Sequence, residues 1–328
     1  MTTKQVPLSV LDLIPIGEGF NVSDALHNST RLAQAAETAG FKRYWVAEHH
    51  NLKDIASAAT SVILSHIGAK TDSIRLGSGG IMLPNHAPLL VAEQFATLES
   101  LYPGRIDLGL GRAPGTDMET ARALRRDQGT DFPEMLAELQ YFFSEQSQNK
   151  RIKAVPGAGM SLPTWLLGSS TFSAQLAAAK GLPMAFAAHF APDAMLAAIE
   201  LYRANYQPSE QFPEPYVMVC VNAVGADTQA EAEYLATTEL QKFLSLNRGT
   251  EQYLPEPVED MNALWSPSEA VRIKQQLRES IWGTKETIRE RLNDLVARTG
   301  ADEVMVNSWI HDPEKRIYSH QVIAAAWR

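Results

Sequence analysis

Short apolar runs alternate with longer amphipathic runs along almost the whole 328-residue chain. Eight of the apolar runs have the length and composition of β-strands, and a helical pattern follows most of them. Strands that alternate with helices form parallel sheets, because the crossover helix returns the chain to the same edge. Eight is also the number of strands that closes a (β/α)8 barrel, or TIM barrel. We therefore expect an α/β chain with this barrel, and an open doubly wound sheet is the competing architecture.

The predicted strands are Val6–Ile14, Tyr44–Ala47, Ile74–Leu83, Ile106–Leu110, Thr164–Leu167, Met184–Ala188, Tyr216–Val224 and Glu303–Asn307. Predicted helices between them and after them are Ser23–Ala39, Ala56–Lys70, Pro88–Leu101, Thr116–Arg126, Phe132–Glu145, Ser170–Lys180, Pro192–Tyr206 and Pro313–Trp327. A long insertion separates the last two strands. It holds helical patterns over Gln229–Leu246, Pro267–Ser280 and Lys285–Arg298, and an irregular proline-rich stretch, Asn247–Ser266.

Charge and composition exclude several classes of protein. A net charge of −9 argues against a nucleic-acid partner, which requires a basic face. No apolar run approaches the ~20 residues of a membrane span, so no membrane partner is expected. The segment Met1–Gln5 leads into the first strand without the apolar core of a signal peptide. Because Cys220 is the one cysteine, an internal disulfide is impossible, and we expect a cytoplasmic protein.

Working groups of (β/α)8 barrels lie at the carboxyl-terminal ends of the strands. Applied to the predicted strands, that rule selects the residues of a candidate site. Asp12, at the end of the first strand, is included as a cofactor-binding residue. The selected residues are Asp12, His49, His50, Gly79, Gly80, Asn85, His86, Gly111, Arg112, Gly168, Ser169, Ser170, His189 and Asn222.

A serine-rich turn, Gly168–Ser173, joins the fifth strand to the next helix. Its backbone N–H groups, its hydroxyls and the positive end of the helix dipole together suit a phosphate group. An ordinary serine N-cap is the alternative. Arg112 follows the neighbouring strand and could complete a phosphate site, with a surface salt bridge as the alternative. The nearby run Gly109–Pro114 lacks the third glycine of a dinucleotide fingerprint, which excludes a Rossmann site.

Two histidines, His49 and His50, end the second strand, so their side chains should point to opposite sides. One can enter the barrel mouth to bind substrate or exchange a proton, or both can be structural. Their spacing does not favour a metal site. The run Gly77–Gly80 interrupts the third strand, which indicates either a flat ligand against the backbone or a tight inner layer of the barrel. Cys220 is interpreted as a buried apolar residue.

Ordered motifs along the chain resemble the luciferase-like flavin monooxygenase family. The motifs are Ala47–His50, Leu76–Pro84, Ala92–Gln94, Pro103–Arg112, Leu167–Ser170 with Ser173–Ala174, and Lys180–Pro183. The similarity covers almost the whole chain and looks greatest to the bacterial YhbW-type branch of the family.

The resemblance implies a (β/α)8 barrel that binds FMN at its mouth. Members of the family use reduced FMN from a separate flavin reductase, bind O2 and oxygenate a small organic substrate through a C4a-peroxyflavin. Carried over by motif, Arg112, Gly168, Ser169, Ser170 and Ser173 would hold the phosphate. Gly79–Gly80 matches a non-prolyl cis peptide under the flavin ring, and His49 matches the active-site histidine.

The same resemblance implies a single domain over residues 1–328, a lid at about residues 245–282, and a homodimer. The predicted helices Ala56–Lys70 and Pro88–Leu101 have apolar residues on more than one face, which suits a dimer interface. Three residues depart from bacterial luciferase: Gly111 replaces a cysteine, Ser169 a carboxylate and Ala188 a tryptophan. Three alternatives therefore stay open: a deazaflavin (F420)-dependent hydride-transfer enzyme, a non-catalytic flavin-binding protein, and a phosphosugar enzyme.

Overall fold

The computed structural model describes residues 5–124 and 131–328. Its strands are β1 (Leu8–Asp12), β2 (Arg43–Val46), β3 (Arg75–Ser78), β4 (Ile81–Met82), β5 (Ile106–Gly111), β6 (Thr164–Gly168), β7 (Met184–Ala187), β8 (Val217–Gly225), β9 (Ile281–Gly283) and β10 (Glu303–Asn307). Its α-helices are α1 (Val22–Ala39), α2 (Thr60–Gly68), α3 (Pro88–Leu101), α4 (Met118–Ala123), α5 (Phe132–Phe143), α6 (Thr171–Lys180), α7 (Met195–Asn205), α8 (Gln229–Arg248), α9 (Pro267–Gln276), α10 (Lys285–Thr299) and α11 (Pro313–Ala326).

Eight parallel strands form a closed barrel in the order β1, β2, β3, β5, β6, β7, β8 and β10. Closure is shown by β10, which pairs with β8 on one side and with β1 on the other. The predicted (β/α)8 barrel is confirmed, and the open sheet is excluded. The helices surround the strands, which brings all eight carboxyl-terminal strand ends to one face.

Neighbouring strand residues belong to two different cores. Val10 packs in the layer between the strands and the outer helices, whereas Leu11 lies in the barrel interior with Trp45. This alternation is the two-residue period of a strand. At the amino-terminal end of the barrel, buried Arg43 lies 2.6 Å from Asp107 and 3.0 Å from Glu303, so that end is closed by ion pairs.

Several predicted boundaries differ from the structure. The third strand divides into β3 and β4 at Gly79–Gly80, as the glycine run suggested. Helix α1 begins one residue before Ser23, because Asn21 and Asp24 form a capping box there. Helix α2 covers only part of Ala56–Lys70, and α7 begins three residues after Pro192. The end of the predicted helix Thr116–Arg126 lies outside the described residues.

The insertion between β8 and β10 packs over the carboxyl-terminal face of the barrel. Leu254, Met261 and Trp265 are buried in the same apolar cluster as Trp45 of the barrel interior. The main-chain N–H of Leu254 donates to the carbonyl of Ile16 at 2.9 Å. The insertion also supplies β9, which the sequence did not predict and which pairs in parallel with the carboxyl-terminal end of β8. Among the helices of the described residues, none is long and apolar enough to cross a membrane.

Candidate active site

A cavity of about 240 Å³ opens at the carboxyl-terminal face of the barrel. Since one water occupies about 30 Å³ of liquid, the cavity has room for a small organic ligand. Residues from seven of the eight barrel strands, or from the segments that follow them, line it: Leu11, Leu13, Ala47, His49, Gly79, Gly80, Met82, Gly111, Arg112, Ala113, Gly115, Leu167, Gly168, Ser169, Ser170, Ser173, Ala185, Ala187, His189, Phe190 and Cys220. All of the cofactor-binding residues chosen from the sequence, except Asp12, are in this set.

The serine turn between β6 and α6 exposes backbone N–H groups to the cavity. Ser170 is the N-cap residue by position, with φ −145° and ψ 169°, but its side chain makes no capping hydrogen bond. The structure therefore does not show the ordinary serine cap. A Cβ atom at Gly168 would lie 2.3 Å from Oγ of Ser173, so glycine is required for this close packing. The free N–H groups and hydroxyls of the turn can bind an anion.

Arg112 lies beside this turn. Its guanidinium stacks on the ring of Phe172, with 4.2 Å between the guanidinium carbon and the ring centroid. Because Phe172 belongs to the first turn of α6, the stacking brings a positive charge to the amino-terminal end of that helix. Arg112 and the serine turn, which lie far apart in sequence and were both predicted to bind phosphate, are therefore neighbours in the structure.

Bare backbone forms the wall of the cavity at Gly79 and Gly80, and the peptide bond between them is cis. A Cβ atom at Gly79 would lie 2.5 Å from Cδ1 of Leu11, and one at Gly80 would lie 2.9 Å from the carbonyl oxygen of Gly109. A side chain is therefore excluded at Gly80, where the close atom belongs to the backbone, and at Gly79 it would have to displace the side chain of Leu11. A flat ligand can approach this wall closely.

His49 faces the cavity, while His50 points away from it. Nδ1 of His49 lies 3.2 Å from the carbonyl oxygen of Gly115. A carbonyl can only accept, so Nδ1 carries the proton and Nε2 of the neutral ring remains an acceptor. Burial lowers the pKa of His49, and the charge of Lys242 acts in the same direction. The ring is therefore neutral at pH 7.

Glu48 is the buried carboxylate that holds the loops around this histidine. It accepts hydrogen bonds from the main-chain N–H of Met82 at 2.9 Å, Nδ2 of Asn85 at 3.0 Å and Nε2 of His50 at 2.8 Å. Nε2 of His86 lies 2.9 Å away. Burial raises the pKa of Glu48, but the hydrogen bonds and charge of His86 outweigh it and lower the pKa. His50 and His86 are thus structural, which the sequence left open for His50.

Asp12 was wrongly placed in the cofactor site. The carboxylate is fully buried and points out of the barrel, where Nη2 of Arg316 lies 2.7 Å away and the Tyr44 hydroxyl donates to it. Leu11 and Leu13 occupy the inward-facing positions on either side. The strand-end rule selects the right end of a strand but not the right face, which alternates residue by residue.

His189 and Asn222 were selected by the strand-end rule, but no role was given to them. His189 lines the cavity. Nδ2 of Asn222 donates to the main-chain oxygen of His189 and to Oε1 of Glu239, both at 2.7 Å. Glu239 is fully buried, and burial raises its pKa to about 7. Among residues 5–124 and 131–328, no group of His, Cys, Asp and Glu side chains could hold a metal ion.

Comparison with known proteins identifies the family. A family model described as luciferase-like monooxygenase matches residues 6–303. The chain belongs to this family. A luciferase-like monooxygenase of Escherichia coli strain K12 is 50% identical to this monooxygenase over 325 residues, which cover 98% of this chain and 97% of the relative. N-acetyl-S-alkylcysteine monooxygenase of Bacillus subtilis strain 168 is 32% identical over 330 residues, which cover 98% of each chain.

Solved structures show the same architecture. Apo-MsnO8 is similar to this monooxygenase with a TM-score of 0.88, at 34% identity over 98% of each chain. The oxygenating constituent of 3,6-diketocamphane monooxygenase from Pseudomonas putida, in complex with FMN, has a TM-score of 0.72 at 16% identity, over 97% of this chain and 96% of its own. An F420-dependent secondary alcohol dehydrogenase has a TM-score of 0.72 at 15% identity, over 99% of each chain. These last two likenesses show a shared fold.

Proposed function

We propose that this protein is a two-component, FMN-dependent monooxygenase. A separate flavin reductase supplies reduced FMN, and one oxygen atom of O2 is transferred to a small organic substrate. The observation that carries the proposal is the meeting of Arg112 with the uncapped serine turn at one end of a glycine-walled cavity. A phosphate at that turn and a flat ring along Gly79–Gly80 together match the shape of FMN.

The donor set fits the phosphate of FMN. A phosphate monoester carries up to two negative charges, and the first turn of α6 presents unbonded N–H groups at the positive end of the helix dipole. The hydroxyls of Ser169, Ser170 and Ser173 add neutral donors, and Arg112 adds a guanidinium. When reduced FMN is bound, it supplies the electrons that activate O2.

His49 acts at the substrate side of the cavity. With Nδ1 held by the carbonyl of Gly115, Nε2 is oriented as an acceptor that can take a proton from a bound molecule. The low pKa of the buried ring keeps this acceptor available at neutral pH. Apolar neighbours, among them Ala185 and Ala187, keep this end of the cavity dry.

Part of the insertion, at about residues 245–282, serves as a lid within a single domain that spans residues 1–328. Leu254, Met261 and Trp265 pack on the barrel interior, so a lid built from them excludes water from the reaction. The lid would have to move for substrate to enter and product to leave.

An F420-dependent hydride-transfer oxidoreductase is the second candidate, because an F420-dependent alcohol dehydrogenase has the same fold over 99% of both chains. Direct titration separates the two. The purified protein is titrated with oxidised FMN, anaerobically photoreduced FMN and reduced F420, and binding is followed by fluorescence and absorbance. Air is then admitted, and flavin reoxidation is recorded with and without protein.

Binding of reduced FMN, with reoxidation slower than in free solution, supports the monooxygenase. Binding of F420 with no binding of FMN favours hydride transfer, and binding of neither overturns both candidates. The relative from Bacillus subtilis suggests N-acetyl-S-alkylcysteines as the first compounds for a substrate screen.

We further propose a homodimer in the cytoplasm. Val62 on α2, Leu101 on α3 and Val155 beside them are 68%, 56% and 68% exposed, and they line one shallow apolar groove. A second copy would remove this apolar surface from water. Sedimentation velocity gives the mass, and a value equal to one chain at micromolar concentration contradicts the dimer.

A further inference from the structure

Two imidazole rings face the same cavity from different strands. His49 follows β2 and His189 follows β7, and both line the cavity floor near Cys220. They lie close enough for the charge of His49 to lower the pKa of His189. Within the part of the chain that the structure describes, His49 is the only other titratable side chain that influences His189.

Neither ring nitrogen of His189 makes a hydrogen bond of regular geometry with the protein. Nδ1 is buried, and its contact with the main chain of Cys220 falls short of regular hydrogen-bond geometry. Nε2 also has no protein partner, but it is not among the buried atoms, so it is the ring nitrogen that remains accessible from the cavity. Because Nε2 is accessible and has no protein partner, a ligand that reaches it can form a hydrogen bond there without displacing a protein group.

His189 is also fixed in place. Its main-chain oxygen accepts a hydrogen bond from Asn222, which is itself held by Glu239 and by Asn307 at 2.8 Å. Its ring packs edge-on against Phe190, with 4.8 Å between the ring centroids. The hydrogen bond fixes the backbone of His189 and the edge contact packs against its ring, so both favour a preorganised binding group.

We propose that His189 is a substrate-binding residue whose Nε2 hydrogen-bonds an uncharged polar group of the substrate, opposite Nε2 of His49. The group is a hydroxyl, carbonyl or amide, because two neutral imidazoles and a wall of alanines and Cys220 offer no counter-charge for an ion. The apolar part of the substrate then lies along that wall. This assignment deepens the proposed function and rests on it for the identity of the reaction.

Phenol and toluene test the assignment, since they have nearly the same shape and differ by a hydroxyl in place of a methyl group. Their dissociation constants are measured for the wild type, His189→Leu and the surface control His27→Leu, each with and without bound FMN. We expect the ratio of the toluene to the phenol dissociation constant, here called the phenol preference, to be the same in the wild type and His27→Leu. In His189→Leu that preference falls at least about fivefold, the effect of one hydrogen bond, while toluene affinity and FMN affinity stay unchanged.

An unchanged phenol preference in His189→Leu overturns the proposal. Loss of FMN affinity in His189→Leu overturns it as well, because the residue would then hold the cofactor. If the wild type fails to bind FMN, the proposed function fails, but the phenol preference of the FMN-free protein still decides the role of His189. Should His189→Leu not fold, ¹⁵N-histidine NMR of the wild type decides: the Nε2 signal of His189 must shift with phenol and not with toluene.

Discussion

The side-chain amide of Asn222 donates to Oε1 of Glu239 at 2.7 Å, entirely out of contact with water. Asn222 belongs to a barrel strand and Glu239 to the long helix of the insertion, α8. Ser280 and Trp282 bind the same carboxyl group at 2.6 Å and 3.0 Å. One buried carboxyl group therefore ties the barrel to two separate parts of the insertion.

Glu239 should make stability depend on pH. The carboxyl ionises near 4.5 in the unfolded chain, but burial raises its pKa to about 7 in the native state. Between these values the native state holds one more proton, so a rise in pH lowers the free energy of unfolding, by about 3 kcal/mol in total. In Glu239→Gln this contribution is absent. Urea unfolding of both proteins from pH 4.5 to 8 measures it, and parallel pH profiles would contradict the assignment.

Arg112→Ala should weaken FMN binding about 10- to 100-fold, the effect of losing hydrogen bonds to a charged phosphate. The fold should be unaffected, because the side chain is exposed. Arg151→Ala removes an exposed arginine elsewhere and is the matched control. Fluorescence titration gives both dissociation constants. Riboflavin, which lacks the phosphate, should bind the wild type and Arg112→Ala equally; a loss of riboflavin affinity would show that the arginine does not act on the phosphate.

Glu48→Ala should lower the free energy of unfolding by about 3 kcal/mol, because the half-buried donors of Met82, Asn85 and His86 lose a buried acceptor. FMN binding should weaken as well, since Met82 lies next to the wall formed by Gly79 and Gly80. Glu138→Ala, an exposed glutamate on α5, should change neither quantity. Urea unfolding and FMN titration test this pair, and equal stability of the two variants would refute the structural role of Glu48.

Lys242 and Asp54 form a buried ion pair between α8 and the segment after β2. Lys242→Met leaves the carboxylate of Asp54 buried and unpaired, which should cost about 3–5 kcal/mol. Adding Asp54→Asn removes the uncompensated charge and should recover much of that loss. A double-mutant cycle in urea shows the coupling, and additive single effects would mean that the two side chains do not stabilise each other.

Local sequence information was enough for the barrel and for most of the cavity. Helix α3 and strand β10 begin and end at the predicted residues, because Pro88 at the start of the helix and the apolar run Glu303–Asn307 are strong local signals. The serine turn and the glycine run were found for the same reason: each is a short motif at a strand end.

What the sequence could not predict depends on contacts between distant residues. Asp12 faces outward, where it pairs with Arg316. That arginine lies 304 positions along the chain, so no local pattern reports the pairing. Glu239 reads as an ordinary polar residue of an amphipathic helix until the packing of β8 and β9 buries it. The cavity role of His189 was within reach, since the strand-end rule selected it, but nothing local showed that its ring would lack a partner.

The two sides of the cavity differ in whether their residues can be substituted. At Gly80, and at Gly109 behind it, a single methyl group would come within 2.9 Å of a main-chain oxygen, and at Gly109 that oxygen is only 2.0 Å away. Across the cavity, Ala185 and Ala187 present replaceable side chains. A laboratory library or a natural lineage that acquires a new substrate must therefore vary the alanine side, while the glycine side stays the same from one member to the next.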